Sequence, residues 1–367
     1  MTTLHRYVAR IFLLRFLMVL LGISFAVLGF EMVEAINDLG GDEAEVATLA
    51  RYAALRLPSF LAQLLPIAVL VGALLTVADL LRQRELLAAW NAGLSQPRLL
   101  LGLLPLLLLL GALQFVLNDQ LVPRTTDALR AWGVGEFRAS GFLTSRDGSV
   151  WLRSGDDIVR VSEQALEAER LADITVFRRD GEGALLERLD AAEARRDGDG
   201  WMLQEVVRHD TAPYGTSLLP ELHWDGEIEL EHLRLVARPP RELALTDLWA
   251  LLVSDGYGQR PRELYQTWVN ARLAQFFGAP LVFCLAFALG QGWRRTGEVT
   301  RLMLGGLALG FSFFILDGAA VALGEVGFLP GALAAWAPPL LLACLVLHLL
   351  LKPEAAAPIN LPLPRRG

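Results

Sequence analysis

Residues 81–97 read LRQRELLAAWNAGLSQP, a short mixed segment between two long hydrophobic runs. Arg82, Arg84 and Glu85 open it, and Leu86, Ala89, Trp90 and Gly93 follow at i, i+3, i+4 and i+7. That spacing lays one apolar stripe along a helix over 82–95. Gly93 tolerates the left-handed conformation that closes a helix, and Pro97 cannot continue one. A helix this short cannot cross a bilayer. Its basic start predicts a position at the cytoplasmic surface, within reach of a soluble partner. The plainer reading, a mere connector between two spans, fits the same spacing.

The flanking runs set the class. Of 367 residues, 54% are hydrophobic, and the mean hydropathy is +0.42. Several runs are apolar over the roughly 20 residues a transmembrane helix needs. The expected spans are 8–30, 57–80, 99–117, 268–289, 302–322 and 333–351. The first is read as a retained span, because no A-x-A-like cleavage site follows it. Pro58 and Pro66 should kink the second or mark its entry, and Gly305, Gly306 and Gly310 should let the fifth approach its neighbours.

Positive residues give the orientation. Arg6, Arg10 and Arg15 precede or open the first span, Arg82, Arg84 and Arg98 flank the bend, and Arg294, Arg295 and Lys352 mark later ends. Both termini are therefore expected in the cytoplasm. Residues 124–262 are different material, with frequent charge and short alternating runs at 150–153, 158–161 and 174–177. Turn signals at Asp147-Gly148, Gly155-Asp156, Asp180-Gly181, 197–200 and Asp225-Gly226 separate them. The expected fold is thus a six-helix membrane protein with an inserted periplasmic all-β domain, sandwich or jelly-roll-like. A short capped helix at 246–256 leads back to the membrane. The segments are 1–123, 124–262, 263–352 and a tail at 353–367.

Chemistry is excluded more than indicated. Lys352 is the only lysine, so no phosphate-binding G-x-x-x-x-G-K-[ST] loop can be written, and any ATP is bound by another chain. Cys284 and Cys344 lie in apolar runs and read as buried free thiols. The five histidines are scattered, with no metal-ligand or nucleophile motif. No basic stripe with aromatics suggests nucleic acid. No catalytic residue, metal or cofactor is expected. Ionisable residues inside spans each call for a reason. Arg15, Asp79 and Arg301 can reach the interface. Asp317 could cap a helix, pair with a partner's arginine or line a polar cavity. Arg272 is a candidate contact for an anionic substrate or one half of an internal ion pair.

The run LPIAVLVGALLTVADLLRQRELLAAWNAGLS at 65–95, with Pro66, Gly72, Leu81, Glu85, Leu86, Ala92, Gly93 and Ser95, resembles the paired permeases LptF and LptG of bacterial lipopolysaccharide export. VWLR at 150–153, PLVFCLAFALG at 280–290 and GFSFFILD at 310–317 extend the resemblance over nearly the whole chain, the last being nearer LptG. The resemblance implies a heterodimer with an LptF-like permease and an LptB-like ATPase dimer docked on the bend. It also implies lipopolysaccharide entry through gates on the first and fifth spans, and transfer to an LptC- and LptA-like periplasmic bridge. Carried onto this chain, the ATPase-coupling residues are Arg82, Arg84, Glu85, Leu86, Trp90 and Gly93. The lipid or gate residues are Arg51, Arg56, Arg272, Phe311, Phe314 and Asp317. One departure stands out: Glu31, Glu34 and Asp38 occupy the outer end of the first span, where the family commonly places basic residues. Either the paired subunit supplies that charge or the lipid carries less phosphate. The competing expectations are a lipoprotein-releasing exporter subunit and a membrane-anchored sensor of envelope ligands.

Overall fold

The computed structural model describes residues 3–38, 46–133, 149–162, 171–181, 183–198, 200–211, 214–226, 235, 238–253, 261–292 and 299–351. Its centre is α2 (Val46–Arg82), in which Leu65, Leu70, Leu74 and Val77 have no exposure. Pro58 and Pro66 lie within this helix, and it continues through both. Around it stand α1 (Thr3–Asp38), α8 (Arg262–Gly292), α9 (Val299–Glu325) and α10 (Gly331–Leu351). Among the described residues, six helices are long and apolar enough to cross a membrane, as the sequence predicts.

Most are longer than their apolar runs. The 36 residues of α1 extend over about 54 Å, so both ends project beyond a hydrocarbon core of about 30 Å. The third crossing is built from pieces: α4 (Gln96–Gly102), α5 (Leu104–Val116), a wide π turn at Leu117–Leu121, and α6 (Val122–Trp132). Pro105 stands in the first turn of α5 and lacks the N–H that would extend the ladder from α4. Helix therefore runs on to Trp132, beyond the expected end of the third span at residue 117.

Apolar side chains gain little by leaving lipid for a helix interface, so close packing holds such a bundle. The glycines show how. A Cβ on Gly72 would stand 3.0 Å from the Phe16 backbone, and one on Gly306 or Gly310 would stand 2.4 or 2.2 Å from a methyl of Leu74 or Leu70. The glycines expected to bring the fifth span close thus face α2, except Gly305, which faces open space. Phe12 of α1 meets Phe283 edge-on at 4.8 Å between ring centroids, and Phe283 stacks on Phe287 at 4.6 Å. Cys284 and Cys344 are free, as expected, but neither is buried: Cys284 is half-buried and Cys344 exposed.

The described residues of the inserted segment form one six-stranded antiparallel sheet in sequential order. Its strands are β1 (Ser149–Ser154), β2 (Asp157–Ser162), β3 (Leu171–Arg179), β4 (Leu185–Asp197), β5 (Gly200–Thr211) and β6 (Tyr214–Trp224). The three alternating runs fall on β1, β2 and β3. Gly155 and Gly198 turn the first and fourth connections at φ 60° and 62°. Asp147-Gly148 lies outside the described residues. A jelly roll requires strands to cross between sheets; the described strands instead form a meander.

The meander is nevertheless rolled. The indole N–H of Trp224 on β6 donates to Asp157 on β2 at 2.9 Å. Those strands are four places apart in the sheet, about 19 Å if it were flat. A crease explains the roll. Asp173 and Glu205 have φ of 51° and 53°, and the ladder skips Asp173 on β3, Ala192 on β4, Glu205 on β5 and Pro220 on β6. These positions form one line across the strands, about which the sheet folds. Val159, Ile174, Leu189, Leu203 and Trp224 then meet in one apolar cluster.

After the sheet comes α7 (Leu245–Val253), the predicted return helix. Gly111 of α5 offers a test of bundle packing, since its Cβ would lie 2.5 Å from the Phe276 carbonyl oxygen, which is backbone and cannot turn aside. Gly111→Ala is expected to lose about 1–3 kcal/mol of stability. Gly305→Ala, with nothing within 4 Å of the new methyl, is expected to melt at or above the wild-type temperature; thermal unfolding in detergent reads both.

Candidate functional site

The bend after α2 folds into a small platform. Arg82 is the last residue of α2, and Arg84 follows at φ 59°, a left-handed turn that stops the helix. A new helix, α3 (Glu85–Asn91), then starts. The expected helix over 82–95 is thus shorter, because the chain must turn away from the α2 axis before it can pack back onto the bundle. Leu86 is buried, and Trp90 and Leu94 pack against the main core. Gly93 lies past the helix at φ 86° and supplies the predicted left-handed close. The stripe therefore ends at Trp90, while Arg82, Arg84 and Gly93 are exposed.

Two side chains tie this platform to the crossings. The Tyr7 hydroxyl of α1 donates to Glu85 Oε1 at 3.0 Å. Glu85 Oε2 is buried with no donor. Gln96, buried at the start of α4, donates through Nε2 to the Phe287 carbonyl of α8. Deeper along α1, Arg15 pairs with Asp79 of α2 and donates to the Leu75 carbonyl at 3.0 Å. Arg15 and Asp79 thus pair with each other between α1 and α2, both side chains partly exposed.

The opposite end of the bundle carries the sheet. There Glu31 of α1 accepts from Tyr52 at 2.8 Å and pairs with Arg56 of α2. One of the acids that depart from the family pattern is thereby neutralised within the chain; the side chains of Glu34 and Asp38 lie outside the described residues. Arg56 also lies 5.2 Å from the Phe60 ring, and Arg51 lies 4.6 Å from the Trp132 ring. Arg51 is exposed.

Arg272 is 1% exposed, and its Nη2 donates to the Arg241 carbonyl at 3.0 Å and the Leu243 carbonyl at 2.8 Å. Asp119, in the π turn, accepts from the Leu245 N–H at 2.6 Å. Arg130 pairs with Glu242, and Arg238 with Asp127 at 2.8 Å. These contacts pin the return segment 238–245 onto α6 and α8. They spend Arg272 on backbone rather than leaving it open to a ligand.

Phe311 of α9 is 45% exposed, while Phe314 and Asp317 line a cavity of about 450 Å³ between α5, α8, α9 and α10. Asp317 sits mid-helix, so it caps nothing; of its three expected roles the cavity is the one observed. Sequence reading missed Tyr7, Gln96, Gln114, Gln275 and Asp119. The three glutamines and Asp119 carry a usable signal, polar groups within apolar surroundings; Tyr7 carries none.

Six apolar crossings among the described residues, an inserted antiparallel sheet and a short helix after the second crossing define a multi-pass membrane protein. The profile of the family described as lipopolysaccharide export system permease LptF/LptG matches residues 6–352. The chain belongs to that family. It is 24% identical over 360 residues to the lipopolysaccharide export system permease protein LptG of Haemophilus influenzae, covering 95% of this chain and 98% of the relative.

Tyr7→Phe removes only the hydroxyl that holds Glu85. Amide exchange across 85–91 is expected to rise by up to about tenfold, the worth of one hydrogen bond of about 0.5–1.5 kcal/mol. Exchange in α5 should be unchanged.

Proposed function

We propose that this chain is the LptG-type half of an exporter that lifts lipopolysaccharide from the outer leaflet of the inner membrane, paired with an LptF-like permease. The observation that carries the mechanical part is α3, seated on the core by Leu86 and Trp90 at the end of the bundle away from the sheet. In this reading that end is cytoplasmic, as its arginines favour, and both termini lie there. The sheet is periplasmic. Its rolled form around an apolar core supports a role in handing lipid to LptC- and LptA-like partners.

An LptB-like ATPase dimer docks on α3. Arg82 and Arg84 face outward without an ionic partner among the described residues. Glu85 has one oxygen held by Tyr7 and one without a donor. An arginine from the motor completes that carboxylate and forms a charge-assisted bond. Leu86 and Trp90 transmit the push into the core, and Gly93 sets the angle at which the platform leaves α3. The Tyr7 bond carries part of the movement into α1.

The gates lie on α1 and α9. Only 28% and 22% of their most apolar windows are buried within the chain, against 61% for α2, which leaves room for a partner subunit and for lipid. Leu14, Met18, Leu21 and Phe25 form an exposed stripe on α1, and Leu304, Phe311 and Ile315 form one on α9. Arg51 is the open cation for a lipid phosphate, and Arg56 is held by Glu31. Arg272 acts here as a positioning residue for the segment below the sheet. Moving each acyl CH₂ out of an apolar setting costs about 0.8 kcal/mol, so extraction needs a coupled motor.

Glu85→Lys is the test, in proteoliposomes holding both permeases and the ATPase. Placing like charge at that contact should cost about 2–5 kcal/mol of coupling. Lipid release is expected to fall at least about tenfold, while nucleotide hydrolysis continues. Release at the wild-type rate would remove α3 from the coupling path.

A further inference from the structure

The cavity between α5, α8, α9 and α10 has an excess of hydrogen-bond acceptors. Gln114 is 5% exposed, and its Nε2 donates to the Ala62 carbonyl at 3.1 Å. That bond fixes which end of the amide is oxygen. Its Oε1 is buried and has no donor, and neither has the buried Oε1 of Gln275 on α8. Both residues line the cavity. Asp317 lines it too, with no hydrogen-bond or ionic partner among the described residues. Glu325, two helical turns towards the sheet, is already served by the Trp268 indole N–H at 2.6 Å. Arg241 supplies the one lining cation; its side chain is 68% exposed and lies 3.7 Å from Glu242.

A carboxylate and two amide oxygens without donors are costly in a setting this far from water. Asp317 lies about 12 Å along α9 from Glu325, inside the membrane-crossing part of the helix. Phe313, Phe314 and Val321 form apolar wall beside it. An occupant that suits this lining brings N–H donors and positive charge, with methylene groups alongside. A primary ammonium has three N–H donors, matching the three groups that lack one. The volume falls within the usual range for small-ligand sites, about 300–1,000 Å³.

We infer that this cavity binds a primary ammonium group carried on a lipid headgroup, with Asp317 as its counter-ion and the amide oxygens of Gln114 and Gln275 accepting its N–H groups. The site lies within one chain. It stands or falls independently of which lipid the permease exports.

The test uses the purified full chain in detergent, titrated with phosphatidylethanolamine, phosphatidylglycerol, free ethanolamine or sodium chloride, with binding read by native mass spectrometry and thermal unfolding. Phosphatidylethanolamine is expected to bind at least about tenfold tighter than phosphatidylglycerol. Asp317→Asn should remove that preference, the worth of one hydrogen bond to a charged group. Gln275→Met, which changes no charge, should weaken phosphatidylethanolamine binding while melting near wild type. Displacement of the lipid by free ethanolamine would support the site and show that the amine alone suffices. Equal binding of both lipids, an undiminished preference in Asp317→Asn, or equal stabilisation by sodium chloride would overturn the inference.

Discussion

Close approach to α2 is the constraint from which the rest of the structure follows. Within a bilayer, apolar side chains gain little by leaving lipid for a helix interface, so contact area and fit must hold the crossings together. Gly72 lets Phe16 reach the α2 backbone, and Gly306 and Gly310 admit Leu74 and Leu70. Gly290 likewise faces Val77. Each glycine removes a Cβ where a larger residue from the other helix must fit. The result is a central helix gripped on three sides, by α1, α8 and α9. The outward faces of α1 and α9 are left over, because no further helix among the described residues covers them.

That grip changes what a short helix at the end of α2 can do. A platform joined only by its chain connections would flex when pushed. Here Leu86 and Trp90 sit in the same apolar cluster as Phe12 and Phe283, Tyr7 holds Glu85, and Gln96 holds α8. Three crossings therefore share the platform's load. The Arg15–Asp79 pair adds a polar connection between α1 and α2 further along the same direction. Movement of α3 is thus resisted locally and carried by helices as bodies, which is how packed interfaces switch between arrangements.

The sequence disclosed what depends on local pattern. Length of apolar run gave six crossings, and alternation with Gly-Asp turns located β1, β2 and β3. The apolar spacing of Leu86, Ala89 and Trp90 found the platform. What it could not disclose depends on residues far apart in the chain. Arg84 takes a left-handed turn because α3 must pack back onto α2, a tertiary demand on a residue with no local preference for it. The sheet is rolled rather than flat through Asp173 and Glu205, neither of which announces a crease. Arg272 read as a contact for an anionic substrate or half of an internal ion pair, since the carbonyls that take it come from a loop 29 and 31 residues away. Helix ends were underestimated because hydropathy marks the lipid-facing length, whereas α1, α2 and α6 continue past it as ordinary amphipathic helix.

The junction between bundle and sheet follows from the same distinction. A sheet inserted between two crossings could hang from flexible strands, its tilt unrelated to the helices below. Instead the returning segment is bound to both crossings it connects. Arg272 of α8 takes its carbonyls, Asp119 in the π turn takes the first amide of α7, and Arg130 and Asp127 of α6 take Glu242 and Arg238. The π turn is what makes the second of these possible, because a wider turn at Leu117–Leu121 brings Asp119 to the buried side of the helix. Four polar contacts on one short segment make its position a function of α6 and α8 together. A change in the angle between those two helices must either strain the contacts or reorient the segment from which the sheet returns. The position of residues 238–245 and the geometry of the bundle are therefore one mechanical variable.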